Sequence, residues 1–516
     1  MHVSFRELGQ LEQRKGGNIL IRMKDLDRSS LSAATRGGCK FAIVGALLLG
    51  MPALSQTAQG SAGATGAAPS LPQGTGAGVS SSSFQGSLVT DKPTAGVLDL
   101  SLDEAIRRGE QSNLGIILQS SQQQAAAGQK LQQLQALLPT VDAQARITVT
   151  QINLAAEGFK FPGVNPIVGP FQVVDFRAYL SWSLLNVASL ENYIAAHHNF
   201  EGAKLSAQDA RDMVVLTVGN GYLMCIADAA RVQSVTAELQ TTQVSLDQAN
   251  AAHDAGTSPK LDVLRAQVDN QNLQQQLIVA QNQLEKDKLA LARIIGLPLA
   301  QQFRLTDTAP FAPLDQVDPD AAVVAALKNR KDLQSIQEQL KAASAQKTAA
   351  FAQQLPAAAF QGDLGDIGTT PGHSHATYTA TGVVSAPVLQ IAKTRGDEEV
   401  ADAHYRQLQA QYSDMQQQVN ADVRDAILDI QSAAKLVDVT HSNVDLANEA
   451  LSEAQQRFKA GVSDNLAVSQ AQSQAEQASD QYISALYQHN IAKLSLARAL
   501  GVAQSNYKDY FGGKQQ

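Results

Sequence analysis

Ala255-Gly256-Thr257-Ser258-Pro259-Lys260-Leu261-Asp262-Val263 returns later in the chain as Ala460-Gly461-Val462-Ser463-Asp464-Asn465-Leu466-Ala467-Val468. Forty residues beyond each glycine (296 − 256 = 40), Leu289-Ala290-Leu291-Ala292-Arg293-Ile294-Ile295-Gly296 recurs as Leu494-Ser495-Leu496-Ala497-Arg498-Ala499-Leu500-Gly501. Both matches fall at one offset (461 − 256 = 205 and 501 − 296 = 205), so no insertion or deletion separates them. A register held over that span marks a duplicated structural unit. A long helical repeat of this kind points to a symmetric object rather than a catalytic pocket.

The composition agrees. Of 516 residues only 5% are aromatic and one is Trp, while Ala and Gln fill long stretches. Such segments favour helix but supply few large side chains for a thick core. A net charge of −8 argues against a nucleic-acid partner, which requires a clustered basic surface. Cys39 and Cys225 do not make a disulfide framework.

Phe41 to Leu49 is a short apolar run with Arg36 and Lys40 before it and Pro52-Ala53-Leu54-Ser55 after it. Basic flank, apolar core and small residues are the parts of a secretory signal peptide. The expectation is a leader over 1–55, cleaved after Ser55, with Met23 as an alternative start. The run is too short for a helix crossing a ~30 Å hydrocarbon core, and Cys39 precedes it, the wrong side for lipid attachment. No other segment looks long and apolar enough for a transmembrane helix.

Residues 56–97 are rich in Gly, Ser, Ala and Thr and read as a disordered linker. A helix is expected from Ser101, with Glu104 completing a capping box, to Leu138-Pro139, where proline stops it. Its counterpart runs from Asp318-Pro319 to Leu355-Pro356. Val141, Ala143, Ala145, Ile147 and Val149 alternate with polar residues, the period of a strand with one apolar face, and Phe176 to Leu184 alternates again. The second half offers a weaker pair, Ala357 to Gln361 and Tyr378 to Val384. From Leu190 to His253 there is no proline and little glycine, a rod of about 95 Å at 1.5 Å per residue. The returning helix carries Leu273, Leu277, Ala280, Leu284, Leu291 and Ile295 at three-and-four spacing, a coiled-coil seam. The equivalent seam, Ala478, Tyr482, Ala485, His489, Leu496 and Leu500, is thinner. Four strands cannot close a membrane barrel, since an open edge leaves backbone groups unpaired in lipid. Either the hairpins form a small soluble sheet, or several copies pool them.

Helix, hairpin and helical hairpin, twice over, resembles the TolC-like outer-membrane efflux proteins over roughly Leu98 to Val502. The residues carrying the likeness are the two turn segments, the Leu138-Pro139 and Leu355-Pro356 exits from helix to strand, and the helix ends at Gly296 and Gly501. The resemblance implies a mainly α fold with a small β part. Three copies would form a twelve-stranded barrel in outer-membrane lipid, continuous with a twelve-helix tunnel in the periplasm. The expected organisation is signal peptide 1–55, linker 56–97, first repeat 98–303, connector 304–317, second repeat 318–505 and tail 506–516. The implied function is the outer-membrane channel of a tripartite efflux or type I secretion system. Its implied partners are two sister copies, a periplasmic adaptor and an inner-membrane pump. The alternative is a periplasmic coiled-coil adaptor or structural protein without its own barrel.

By the same resemblance, Gly256, Thr257 and Ser258 together with Gly461, Val462 and Ser463 are tips that dock the adaptor. Read from the residues alone, they are chain reversals with glycine at a helix end. Asp262, with Arg265 beside it, belongs to a tunnel constriction where a carboxylate ring favours cations, or is an ordinary first-turn aspartate on a helix dipole. The second repeat departs here, with Ala467 at the matching position and Gln470 three residues on, so either Asp464 supplies the second charge from a shifted place or the gate differs in ion preference. His373 and His375 lack the further ligands of a metal site, and Cys225 reads as a packed apolar residue. No catalytic constellation and no cofactor-binding motif stands out, so the expectation is a passive duct rather than an enzyme.

Overall fold

The computed structural model describes residues 81–505 apart from 90, 91, 95, 160, 161, 164, 308–310, 315, 316, 461 and 464. The expected signal peptide with Cys39, the linker as far as residue 80 and the tail 506–516 lie outside the described residues. So do two candidate site residues, Gly461 and Asp464.

The first half runs β1 (Leu98–Leu100), α1 (Leu102–Ser112), α2 (Leu114–Gln135), β2 (Thr140–Asn153), β3 (Ile167–Leu185), α3 (Val187–Asp254) and α4 (Lys260–Ile295). The second runs β4 (Phe303–Leu305), α5 (Pro319–Asn329), α6 (Lys331–Ala352), β5 (Ala357–Gly368), β6 (Ser374–Ser385), α7 (Ile391–Lys459) and α8 (Asn465–Ala499). The duplication has two registers. Helices α1 and α5, α2 and α6, and the starts of β2 and β5 are all offset by 217 (319 − 102, 331 − 114 and 357 − 140), whereas α4 and α8 keep 205 (465 − 260). The twelve-residue difference is absorbed in the strand hairpin, where β3 has 19 residues and β6 has 12. Helices α3 and α7, of 68 and 69 residues, are each about 100 Å long at 1.5 Å per residue.

Ser101 caps α1 as expected, accepting from the Glu104 amide at 3.2 Å. The single helix expected from there to Pro139 is instead broken at Asn113. That residue leaves the helical region (φ −64°, ψ 131°) and caps α2 through Oδ1, which accepts from Gly115 N at 2.9 Å. Its Nδ2 donates to Phe84 O at 2.7 Å. The expected linker is therefore ordered at its end. Ser81–Gln85 forms a 3-10 turn, and Phe84 seats in a core with Leu100, Ile106, Val214, Val218 and Tyr222. A polar, small-residue segment gains order here because one aromatic has a site prepared for it, and burying such a side chain contributes about 1.5–3 kcal/mol. At the connector, β4 pairs in parallel with β1.

One expectation about α3 is corrected. An 18-residue window of this helix has a mean hydropathy of 1.5, long and apolar enough by composition to cross a bilayer. Half of that window is buried inside the chain, and the apolar face is wall core: Val214, Val215, Val218, Tyr222 and Cys225 are fully buried. The expected seam holds, with Leu273, Ala280, Leu291 and Ile295 buried in α4 and Ala478, Ala485, His489 and Leu496 buried in α8. Laterally, α7 packs on α8, α8 on α3 and α3 on α4.

The hairpins join as one antiparallel sheet in the order β2-β3-β5-β6. All four strands exceed their expected lengths. The second pair is under-read in the sequence because Gly362, Gly365, Gly368, Ala376, Ala380 and Gly382 dilute its alternation. Cross-strand register puts Val141, Ala143, Ala145 and Ile147 on the same face as Leu180, Ala178, Phe176 and Val174. Leu364 and Tyr378 continue that apolar face. The opposite face is mainly polar, although Phe171, Val173 and Ile367 lie on it and Asp366 stands on the apolar one. Among the described residues β2 and β6 are edge strands, and the sheet is open.

Candidate functional site

The two helical reversals share a backbone hydrogen-bond pattern among their described residues. Ala255 N donates to Ala251 O and Thr257 N to Ala252 O, at 3.0 and 2.9 Å. In the second repeat Ala460 N donates to Gln456 O and Val462 N to Arg457 O, both at 3.0 Å. These are the bonds that close a helix through a left-handed residue, and Gly256 adopts it at φ +71° with open space where a Cβ would stand. Thr257 and Val462 are exposed, Ser258 and Ser463 half-buried. Around them Leu261, Leu264 and Leu466 also face outward. Exposed apolar side chains thus surround the described residues of both turns.

Asp262 lies in the first turn of α4. It is 7% exposed and accepts a 2.7 Å hydrogen bond from Ser258 Oγ, while Arg265 Nη1 stands 3.9 Å from Oδ1. Its backbone carbonyl accepts from Asn465 Nδ2 at 3.5 Å. Asn465 is buried at the start of α8, so the two tips meet at this point. The structure brings together Ser258, Asp262 and Arg265 with the base of the second tip.

Above the tips, polar groups are built into the wall. Arg231 bridges α3 to α8, with Nη1 3.0 Å from Asp228 Oδ1 and Nε 2.6 Å from Asp480 Oδ1. Burial, and then the neighbouring Asp287 carboxyl, push Asp228 up to about 7. Burial likewise pushes the Cys225 thiol up to about 12, which keeps it protonated and inert in its packing role.

A larger network sits where α5 breaks into α6. Arg330, the counterpart of Asn113 (113 + 217 = 330), is 6% exposed. It donates through Nε and Nη2 to Asp332 at 3.1 and 2.6 Å, and through Nη1 to Asp422 at 2.6 Å. Arg498 Nη2 lies 2.7 Å from Asp209 Oδ1 and 3.9 Å from Asp332, and Gln504 N donates to Asp212 at 2.8 Å. Burial pushes Asp209 up to about 6. Burial also acts to raise Asp332, but the Arg330 guanidinium outweighs it and holds that carboxyl below its ordinary value. Isolated charges in Ala- and Gln-rich helices gave little warning of this network. The one signal available was Arg498 itself, inside the repeated Leu-Ala-Arg segment.

His373 ends a short 3-10 turn, and His375 lies on the polar face of β6 opposite Ile367. Among the described residues no group of three or more His, Cys, Asp or Glu is placed to hold a metal ion.

The family model for outer membrane efflux proteins matches residues 110–297 and 322–502, one match to each repeat. The pyoverdine export outer membrane protein OpmQ of Pseudomonas putida is 26% identical over 310 residues, 60% of this chain and 66% of that protein, just under two thirds of its length. The solvent efflux pump outer membrane protein SrpC of Pseudomonas putida is 24% identical over 70% of this chain and 77% of its own. The same fold is seen in the outer membrane protein VceC of Vibrio cholerae, with a TM-score of 0.68, 18% identity and coverage of 78% of this chain and 96% of that one. It recurs in the CmeC outer membrane channel of Campylobacter jejuni, with a TM-score of 0.69, 15% identity and coverage of 84% and 96%. The two repeats, the hydrogen-bond pattern their turns share and a family match spanning most of the chain lead to one conclusion: this chain belongs to the outer membrane efflux protein family.

Proposed function

We propose that this chain is one third of an outer-membrane channel that carries exported solute from the periplasm to the exterior. It would dock through its helical tips to a periplasmic adaptor and an inner-membrane pump, with no chemistry performed in the chain itself. The observation that carries this reading is a pair of matched open edges. Among the described residues, strands β2 and β6 end the sheet unpaired, and an open edge is not tolerated in lipid. Helices α4 and α7 end the lateral order of long helices, and both carry exposed apolar stripes. Leu261, Leu264, Val268, Ile278 and Leu289 line α4, and Leu428, Leu436, Val439 and Leu446 line α7. Edge meeting edge in three copies closes twelve strands into a barrel and continues the helical wall beneath it. The apolar sheet face, where Val141, Ile147 and Val149 are each about two-thirds exposed or more (68–70%), then meets lipid. A periplasmic protein without a barrel would leave that face in water.

Within this reading the expected domain limits are kept for the two repeats, 98–303 and 318–505. Gly256, Thr257, Ser258, Gly461, Val462 and Ser463 are proposed to form the adaptor-docking tips. Asp262, Arg265 and Asp464 are proposed to lie at the tunnel constriction. The test is reconstitution of the purified protein into planar bilayers. Discrete channels are expected from the wild type. Ile147→Arg, on the lipid face, should lower insertion by about 2–4 kcal/mol near the bilayer midplane. Absence of channels from correctly folded protein, or indifference to Ile147→Arg, would refute the duct.

A further inference from the structure

The polar face of the sheet is organised around one arginine. Register places three consecutive rows across the four strands: Asp142, Tyr179, Asp363 and Thr379; then Gln144, Arg177, Gly365 and Thr377; then Arg146, Asp175, Ile367 and His375. Arg177 occupies the middle row. Its Nε lies 3.3 Å from Asp175 Oδ1, Nη1 is paired with Asp363, and Nη2 donates to Thr377 Oγ1 at 2.9 Å. To reach Thr377 on β6 the side chain must cross β5, and it does so over Gly365, directly opposite in register. A Cβ at Gly365 would collide with Phe176 O and stand only 2.8 Å from Arg177 Cα, so glycine lets β5 approach β3 closely at this row. Tied to Asp363 on β5 and Thr377 on β6, the guanidinium lies along the sheet instead of projecting from it, with the Arg177 side chain 14% exposed and those of Asp175 and Asp363 20% and 19%. Strand β3 belongs to the first repeat and β5 and β6 to the second, so this one side chain bridges the junction of the two hairpins.

We propose that Arg177 is a selectivity-determining residue of the barrel lumen. Resting on the trimeric duct proposed above, the polar face lines the pore, and the three rows become a belt around it. Each chain contributes the carboxylates of Asp142, Asp175 and Asp363 against the guanidinium groups of Arg146 and Arg177. Arg177 is the group that contacts two of those carboxylates at once. It keeps the belt close to neutral and, by lying flat, keeps it wide, so that exported solutes of either charge pass. Without it the belt doubles its net negative charge, and a ring of carboxylates favours cations.

The test is the reversal potential of reconstituted channels under a KCl gradient, for wild type, Arg177→Gln and the double variant Asp175→Asn with Asp363→Asn. Three charges lost from a lumen about one Debye length in radius should raise the cation-to-anion permeability ratio on the order of two- to fourfold at ~0.1 M salt. The double variant, which keeps Arg177, should shift in the opposite direction, and it gives a reading even where Arg177→Gln fails to assemble. Channels that open normally in all variants with an unchanged reversal potential would overturn the role of Arg177 while leaving the duct intact. Wild-type protein that forms no channels at all would instead defeat the trimeric reading on which the belt rests.

Discussion

Replacing Arg330 with Met should remove the tie that holds the second repeat's helix break to the long helices. Two carboxylates lose a partner, unequally. Asp422 has a side chain 32% exposed and keeps a 2.6 Å bond from Gln418, so its loss is worth about 0.2–1 kcal/mol. Asp332 is the costly one, although the Leu333 amide at 2.8 Å and Arg498 at 3.9 Å remain to it. Breaking a buried pair costs about 3–5 kcal/mol, and the surviving partners put this case at about 3. If that loss falls on the unfolding barrier, the half-life of the folded protein in detergent at a fixed temperature drops about a hundredfold. Loss of helical signal with time is the assay. The pH dependence separates charge from packing. Asp332 has a depressed native value, so its contribution is complete above the unfolded value near 3.8 and disappears as pH falls through the native one. The gap between variant and wild type should therefore be full at pH 7 and close below about pH 4. Asp209 works in the other sense. Its native value near 6 means that charging it costs stability as pH rises through 6, a cost relieved on acidification. Equal half-lives, or a gap that persists unchanged to pH 3, would refute the electrostatic account.

Three further outcomes follow from the turns. Gly256 and Gly296 share a left-handed backbone, but a Cβ at Gly256 meets open space while one at Gly296 meets Ser112 Oγ and, at 3.0 Å, Leu88 O. Gly256→Ala should therefore cost about 1 kcal/mol and Gly296→Ala about 2–4, read as relative half-lives in the same assay. Gly256→Leu combined with Gly461→Leu should abolish efflux-dependent resistance with trimers intact, and unchanged resistance would reduce these turns to connections. Asp262→Asn should lower the cation selectivity of single channels. A variant that loses only about 0.3–1 kcal/mol of stability would show a helix-terminal aspartate and no more.

The long helices and their seam were legible because a repeat without proline leaves few alternatives, and buried Leu273, Leu291 and Ile295 stand where three-and-four spacing put them. The break at Asn113 was not, since its signal is a side chain capping the next helix and receiving Phe84 from a segment with linker composition. The second hairpin was under-read for a related reason: glycine and alanine serve strands as well as loops, and only register shows which. At the candidate site, the aspartate of the first turn was readable from its distance to Gly256. The Arg330 network was not, because its members lie on four helices and only the fold brings them together. Arg177 was invisible for the same reason, its role depending on a glycine in a strand of the other repeat.

In the proposed channel, three copies of the chain complete one another. Native mass determination of the detergent-purified protein, with particle images of the same sample, addresses it directly. Three chains around an open cylinder are expected. A stable single chain, its sheet edges still unpaired, would contradict the account.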